Sequence, residues 1–325
     1  MSGSKEEVSL VIPGKNCAWT LGPCLEAVVP MVGKTPLREI LFVDDGSTDG
    51  TSEIARRFPI RLIGESGRGR GAARNRGWRE AKSPLVWFVD SDCVAEPDAL
   101  VRLLPHMDDP KVVGVGGSYG NMEDRSLLAC LIHEEIVERH RRMPARVNFL
   151  ATFNVMYRRA VLEELNGFDE RFLRGQDAEF SWRVREAGYE LAFDAASRVK
   201  HFHPISWRVY LTAQREQGYW RAHLHRTRKG HSMGDSYSGL LDHVQPPLAM
   251  LCVLGLVMIA IPRGAWAAAI APALLLFAQW PMTGRIVART MQARFLLFGF
   301  MGFVRAFARG LGLTTGAFSL IRNRR

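Results

Sequence analysis

Five short runs of Val, Ile, Leu and Phe, at Val8–Ile12, Glu39–Val43, Ile60–Ile63, Leu85–Val89 and Val112–Val115, constrain this chain more than any other feature. Each is mostly apolar rather than alternating, the pattern of a strand covered on both faces by helices. Segments with helical spacing lie between them, at Ala18–Val32, Thr51–Phe58, Ala72–Ala81 and Asp98–Met107, the second preceded by the capping side chains Ser47 and Asp49. Strand and helix repeating in this order predict an α/β doubly wound parallel sheet. Ligands of such sheets gather at the carboxyl ends of the strands. Asp44-Asp45 and Asp90-Ser91-Asp92 fall at two of those ends.

The charge distribution narrows the partners. Of a formal net charge of +10, eight Arg after residue 284 supply +8, with no acidic residue among them, and residues 1–284 are left at +2. A nucleic-acid binder would carry its basic patch on the folded N-terminal part. Here the excess sits beside the most apolar part of the chain, which points to anionic lipid headgroups and away from nucleic acid. With 47% hydrophobic residues, disorder is excluded. The five cysteines form no C-x-x-C pair, so they are expected to be reduced cytosolic thiols. Lys5, Glu6 and Glu7 stand where a signal peptide needs an apolar core, and the N-terminal part is expected to stay in the cytoplasm.

Beyond residue 120, helical segments are predicted at Arg125–Arg142, Val161–Leu165, Ala178–Ala187 and Trp207–Arg228, with a short strand at Glu190–Phe193. After Pro246-Pro247 come two uncharged apolar runs, Leu248–Ile261 and Ala265–Met282, broken by Pro262-Arg263-Gly264. The second is long enough to span a hydrocarbon core of about 30 Å. The first must borrow upstream residues, tilt or re-enter. A third stretch, Phe295–Phe318, carries Arg305 and Arg309, which with Arg294 fall within about 60° on a helical wheel. One basic stripe on an apolar helix predicts an interfacial segment, with the C-terminus on the cytoplasmic side. The expected organisation is an α/β domain over 1–230, divided at about 120 into two halves, then a membrane-associated helical region over 231–325.

The chemistry starts from the paired acidic strand ends. A carboxylate there accepts hydrogen bonds from a base or ribose, and a D-x-D binds a divalent cation that neutralises a diphosphate. Val11-Ile12-Pro13 followed by Asn16, VDDGSTDGT at 43–51, GRGRGAARNRG at 67–77, FVDSD at 88–92, GFDERF at 167–172 and GQDAEFSWRVREAGY at 175–189 occur in this order. Over residues 8 to 230 the chain resembles the inverting family 2 glycosyltransferases of GT-A fold. The resemblance implies a nucleotide-sugar-binding sheet, with Asp45 on the base or ribose, Asp90 near the ribose, Asp92 on Mg²⁺ or Mn²⁺, and Asp177 as the base that deprotonates the acceptor. Pro13, Asn16 and Ser91 belong to the same donor-binding motifs. Arg68, Arg70 and Arg74, with Asn75, could cradle phosphates through guanidinium forks. His201, 24 residues after Asp177, is expected at the metal in preference to His203, because residues at i and i+2 of an extended segment face opposite ways. Thr152, Asn154 and Glu179 are candidates for acceptor contacts, Glu179 also as an alternative base.

Three positions depart from the family pattern. Lys15 stands where an aromatic often precedes Asn16, leaving the nucleotide open, and Gln176 replaces the acidic residue before the base. Removing that charge and placing Asp177 at a helix N-terminus are both expected to keep it ionised. Gln214–Trp220 does not match the Q-x-x-R-W signature of processive synthases. The expected activity is therefore metal-dependent transfer of one sugar to a lipid or lipid-linked hydroxyl at the cytoplasmic membrane of the cell envelope. A nucleotidyltransferase of similar fold, or a non-catalytic membrane scaffold derived from the family, is the alternative.

Overall fold

The computed structural model describes residues 6–122, 124–227, 235–258 and 264–322. Contacts divide the chain into two compact units, Met1–Met122 with Met143–Phe202, and Glu123–Arg142 with His203–Arg325. The helices at 127–140 and 207–227 thus pack with the C-terminal helices, although their composition groups them with the α/β part.

In the first unit the elements run β1 (Val8–Gly14), α1 (Ala18–Val28), β2 (Leu37–Asp44), α2 (Thr51–Ala55), β3 (Arg61–Gly64), α3 (Arg70–Glu80), β4 (Leu85–Val89), β5 (Cys93–Ala95), α4 (Ala99–Leu103) and β6 (Val112–Asn121). After α5 (Leu127–His140), which belongs to the second unit, follow β7 (Arg146–Val147), β8 (Asn154–Arg158), α6 (Arg159–Glu164), α7 (Gln176–Glu186) and β9 (Glu190–His201). The strand order is β3-β2-β1-β4-β8-β6-β9-β5, with β7 on β9. Consecutive Trp87 and Phe88 on β4 point to opposite faces, and both are fully buried, so helices and loops cover both sides.

The expected parallel order holds from β3 to β4. It fails at β8, which is antiparallel to both β4 and β6, making the sheet mixed. Asn154-Val155-Met156-Tyr157-Arg158 carries polar residues at both ends, and its fully buried Asn154 replaces the apolar signal that marks the other strands. Helix α3 approaches β1 closely because of Gly77, where a Cβ would lie 2.2 Å from Val11 Cγ1.

The second unit comprises α5, α8 (Trp207–Thr227), α9 (Leu240–Met258), α10 (Gly264–Phe277), α11 (Trp280–Thr290) and α12 (Leu297–Arg322). The first apolar run does borrow upstream residues, beginning its helix at Leu240; its last residues, with Pro262 and Arg263, lie outside the described residues, as do Arg324 and Arg325. The second run is not one long helix. It breaks between Phe277 and Trp280, where Pro281, lacking an N–H, sits in the first turn of α11. The 14 residues of α10 reach about 21 Å, short of a bilayer core. Among the described residues, Ala293–Arg322 is the one helical stretch long and apolar enough to cross.

That stretch corrects a second expectation in part, since Arg305 and Arg309 of its basic stripe turn inward while Arg294 stays exposed. Arg305 is 3% exposed and pairs with Glu135 on α5, while Arg309 Nε donates to Gln214 Oε1 on α8 at 2.7 Å. The apolar face points outward instead, with Phe300 61%, Phe318 67% and Ile321 63% exposed. Glycines let α12 lie directly on α8, since a Cβ at Gly312 would stand 1.9 Å from the Arg215 carbonyl oxygen.

Candidate active site

The carboxyl ends of β1, β2 and β4 and the end of β9 carry the site in the first unit. The loop after β2 is knitted by its own side chains. Asp44 Oδ1 accepts from the Ser47 amide at 2.8 Å and its second oxygen accepts from Ser52 Oγ. Asn16, at φ 50°, donates its amide to Ser47 Oγ at 2.9 Å and accepts from the Thr48 amide at 2.8 Å. Asn16 therefore shapes the loop through its backbone N–H and its Oδ1, on an exposed side chain. Gly50, at φ 83°, opens α2 in place of the expected Ser47 and Asp49 caps, and Asp49 accepts from Thr51 instead. Pro13 is buried in β1 opposite Val43.

This scaffold holds Asp45 in place. Its amide donates to Gly14 O at 2.8 Å, and its Oδ2 accepts from the Gly69 amide at 3.0 Å. Asp45 is 4% exposed, yet its Oδ1 is buried without a hydrogen-bond partner. A buried carboxylate oxygen left unpaired is costly, and a donor group from a ligand would satisfy it.

Arg74 presents the complementary case. It is 2% exposed and donates from Nη2 to Asp90 Oδ1 at 2.5 Å, while Nε and Nη1 are buried without partners. The other two candidates, Arg68 and Arg70, are exposed; Arg68 is held by Glu65 at 3.1 Å and Glu170 at 3.0 Å. Asn75 does not cradle phosphate. It is 1% exposed, and its amide group anchors Phe168 through bonds of 2.7 and 2.8 Å, fixing the Gly167–Phe172 loop.

Asp92 meets His201 because β5 and β9 pair with Cys93 opposite His201. Asp92 Oδ2 lies 3.3 Å from His201 Nε2. Burial opposes ionisation of Asp92, but the His201 imidazole and the Arg70 guanidinium outweigh it and hold the carboxyl below its ordinary value. A carboxylate and an imidazole at this separation are a fit donor pair for Mg²⁺ or Mn²⁺. His203 belongs to the second unit, where its ring lies 5.6 Å from that of His133. Ser91, between the two acids, is 9% exposed.

Asp177 lies in the first turn of α7, after Gly175 at φ 81°, and accepts from the Ala178 amide at 2.9 Å. The expected ionising effect of the helix terminus is overridden. Burial pushes the Asp177 carboxyl above its ordinary value, against the pull of the Ala178 amide and Arg74. Beside it, Gln176 is 5% exposed and its Oε1 has no partner.

The acceptor candidates are corrected by burial. Glu179 is 3% exposed and is gripped by Arg183 at 2.8 Å, which also donates to Gly167 O at 2.5 Å, so it braces α7 against the preceding loop. Asn154 is fully buried, accepting from Trp87 Nε1 at 2.9 Å and donating to Ser197 Oγ at 3.1 Å. Thr152 is 5% exposed. Cys93, set aside in sequence as one reduced thiol among five, stands beside Asp92 and His201.

Residues 9–166 match the family described as Glycosyl transferase family 2. Among curated proteins, glycosyltransferase AglE of Haloferax volcanii is 31% identical over 208 residues, 59% of this chain and 66% of that protein. A probable glycosyltransferase of Bacillus subtilis, YdaM, is 27% identical over 63% of this chain and 52% of its own length. The chain thus spans under two thirds of these relatives. A mannosyltransferase from Pyrobaculum calidifontis, solved with GDP-mannose and Mn²⁺, shares the fold at a TM-score of 0.61 and 19% identity, covering 95% of this chain and 87% of that one. Residues 9–166 thus carry a match to glycosyltransferase family 2, and the fold is the GT-A fold.

Proposed function

We propose that the protein transfers a single sugar from a nucleotide-sugar to a lipid or lipid-linked hydroxyl at the cytoplasmic face of the inner membrane, inverting the anomeric centre. The observation that carries this reading is the set of side chains at the strand ends: Asp92 and His201 3.3 Å apart, with Asp45 Oδ1 and the Arg74 Nε and Nη1 buried and unpaired. A nucleoside diphosphate supplies what these groups lack, hydrogen-bond donors for Asp45 and anionic oxygens for Arg74. When held by Asp92 and His201, Mg²⁺ or Mn²⁺ supplies charge compensation to the departing diphosphate. The mannosyltransferase of the same fold, solved with GDP-mannose and Mn²⁺, supports this reading.

Asp177 takes the proton from the acceptor hydroxyl, whose oxygen bonds to the anomeric carbon as the carbon–oxygen bond to the diphosphate breaks. Its raised pKa suits that task, since a base that is only modestly weak holds the proton it removes. Arg74 orients Asp90 and offers its remaining donors to the donor substrate. The lipid acceptor is supported by the second unit's exposed apolar residues, among them Leu254, Leu256, Phe277, Phe300 and Phe318.

The test incubates the protein with radiolabelled UDP-, GDP-, dTDP- and CMP-sugars, Mn²⁺ and a bacterial lipid extract. Label passing to the organic phase with one donor, and not in EDTA, is expected. Label confined to water-soluble products would overturn the lipid acceptor, and no transfer from any donor would overturn the activity.

A further inference from the structure

Cys93 follows the D-x-D and opens β5, its Cα opposite that of His201. Its Sγ lies 3.8 Å from Asp92 Oδ1, and Asp92 Oδ2 lies 3.3 Å from His201 Nε2. One ligand atom from each of Asp92, Cys93 and His201 lies within 4.8 Å of the other two. A tetrahedral cation with bonds of about 2.3 Å to sulfur and about 2.0–2.1 Å to nitrogen or oxygen holds its ligand atoms roughly 3.3–3.8 Å apart. The two separations from the Asp92 carboxylate, 3.8 Å from Oδ1 to sulfur and 3.3 Å from Oδ2 to nitrogen, fall in that range, and the sulfur and the ring nitrogen lie within 4.8 Å of each other. Among the described residues, no other trio of His, Cys, Asp or Glu side chains meets this spacing. Cys17 and Cys24, also buried in the first unit, belong to no such trio.

We propose that Cys93 is a third protein ligand of the cation site, so that the site favours borderline divalent cations, Zn²⁺ and Co²⁺, over Mg²⁺. The inference rests on reading Asp92 and His201 as cation ligands. A carboxylate and an imidazole alone accept Mg²⁺ readily, whereas a thiolate is a poor ligand for that hard, oxygen-seeking ion. On coordination the S–H bond breaks, the proton passes to solvent, and a sulfur lone pair forms the bond to the cation. No electron changes hands. The fourth position would be left for a phosphate oxygen.

Co²⁺ titration of the full chain, followed by absorption spectroscopy, tests this without reference to turnover. Visible ligand-field bands report any bound Co²⁺, and a near-ultraviolet sulfur-to-cobalt charge-transfer band reports a thiolate ligand. Both are expected in the wild type. In Cys93→Ser the charge-transfer band is expected to vanish, with Co²⁺ affinity about 10- to 100-fold weaker, the scale seen when metal ligation is damaged. Mg²⁺ affinity is expected to change less. Thermal melting of Cys93→Ser in EDTA separates loss of a ligand from loss of the fold, and the wild-type spectrum decides the matter even if that variant is unstable. Ligand-field bands without the charge-transfer band would overturn the role of Cys93 and leave the cation site standing. Absence of both would overturn the cation site as well.

Discussion

Replacing Glu135 by Gln tests where the arginines of α12 point. Glu135 is 6% exposed and receives Arg305 from α12 and Arg139, the latter at 2.7 Å and bound in turn to Asp242 at 2.6 Å. Burial pushes the Glu135 carboxyl up, but Arg305 and Arg139 more than offset it, and the group is held at about 2 against an ordinary 4.5. At about 1.4 kcal/mol per tenfold, that difference is worth about 3 kcal/mol of stability. It agrees with the roughly 3–5 kcal/mol lost when one partner of a buried ion pair is removed. Because the folded-state pKa is depressed, the contribution is full above about pH 4.5 and is lost as pH falls toward about 2. Guanidinium unfolding of the detergent-solubilised protein, followed by tryptophan fluorescence, should show Glu135→Gln destabilised by about 3 kcal/mol at pH 7, with the gap narrowing in acid. Adding Arg305→Met should recover part of the loss, since the uncompensated charge is then gone. Equal stability at pH 7, or a gap that ignores pH, would refute the pairing and return Arg305 to the lipid headgroups.

Four further substitutions probe the rest. Asp177→Asn should leave nucleoside diphosphate affinity nearly unchanged while lowering single-turnover rate by about 10²-fold or more, and the wild-type rate should fall in acid at a higher pH than an ordinary Asp allows, because burial raises its pKa. An equal loss of affinity and rate would make Asp177 a binding residue. His201→Ala should weaken Mn²⁺ binding by about 10- to 100-fold in calorimetry while His203→Ala leaves it unchanged; the reverse would exchange their roles. Gly312→Ala should cost about 1–3 kcal/mol in the same unfolding assay, since its Cβ would meet the Arg215 carbonyl at 1.9 Å, and an unchanged midpoint would mean α8 and α12 do not pack there.

Much of the first unit was legible because its strands are buried on both faces, so apolar runs mark them directly. The acidic ends Asp45, Asp90 and Asp92 followed from those strands. Strand β8 was hidden because a buried Asn154, satisfied by Trp87 and Ser197, reads as a loop residue. Glu179 and Asn75 misled for a related reason, since a motif names polar residues without saying which ones hydrogen-bond to the protein itself. On α12, helical periodicity groups Arg305 with Arg309 but cannot say whether that face points in. The deciding partner, Glu135, lies 170 positions earlier in the chain. Cys93 meets His201 only through the β5–β9 register, which no local spacing records.

Calorimetric titration of UDP and GDP in the presence of Mn²⁺, in the wild type and in Asp92→Ala, tests the central claim most directly. The account predicts that one of the two nucleotides binds the wild type with Mn²⁺, and that EDTA or Asp92→Ala abolishes the binding. A nucleotide that bound equally well in EDTA and in Asp92→Ala would contradict it.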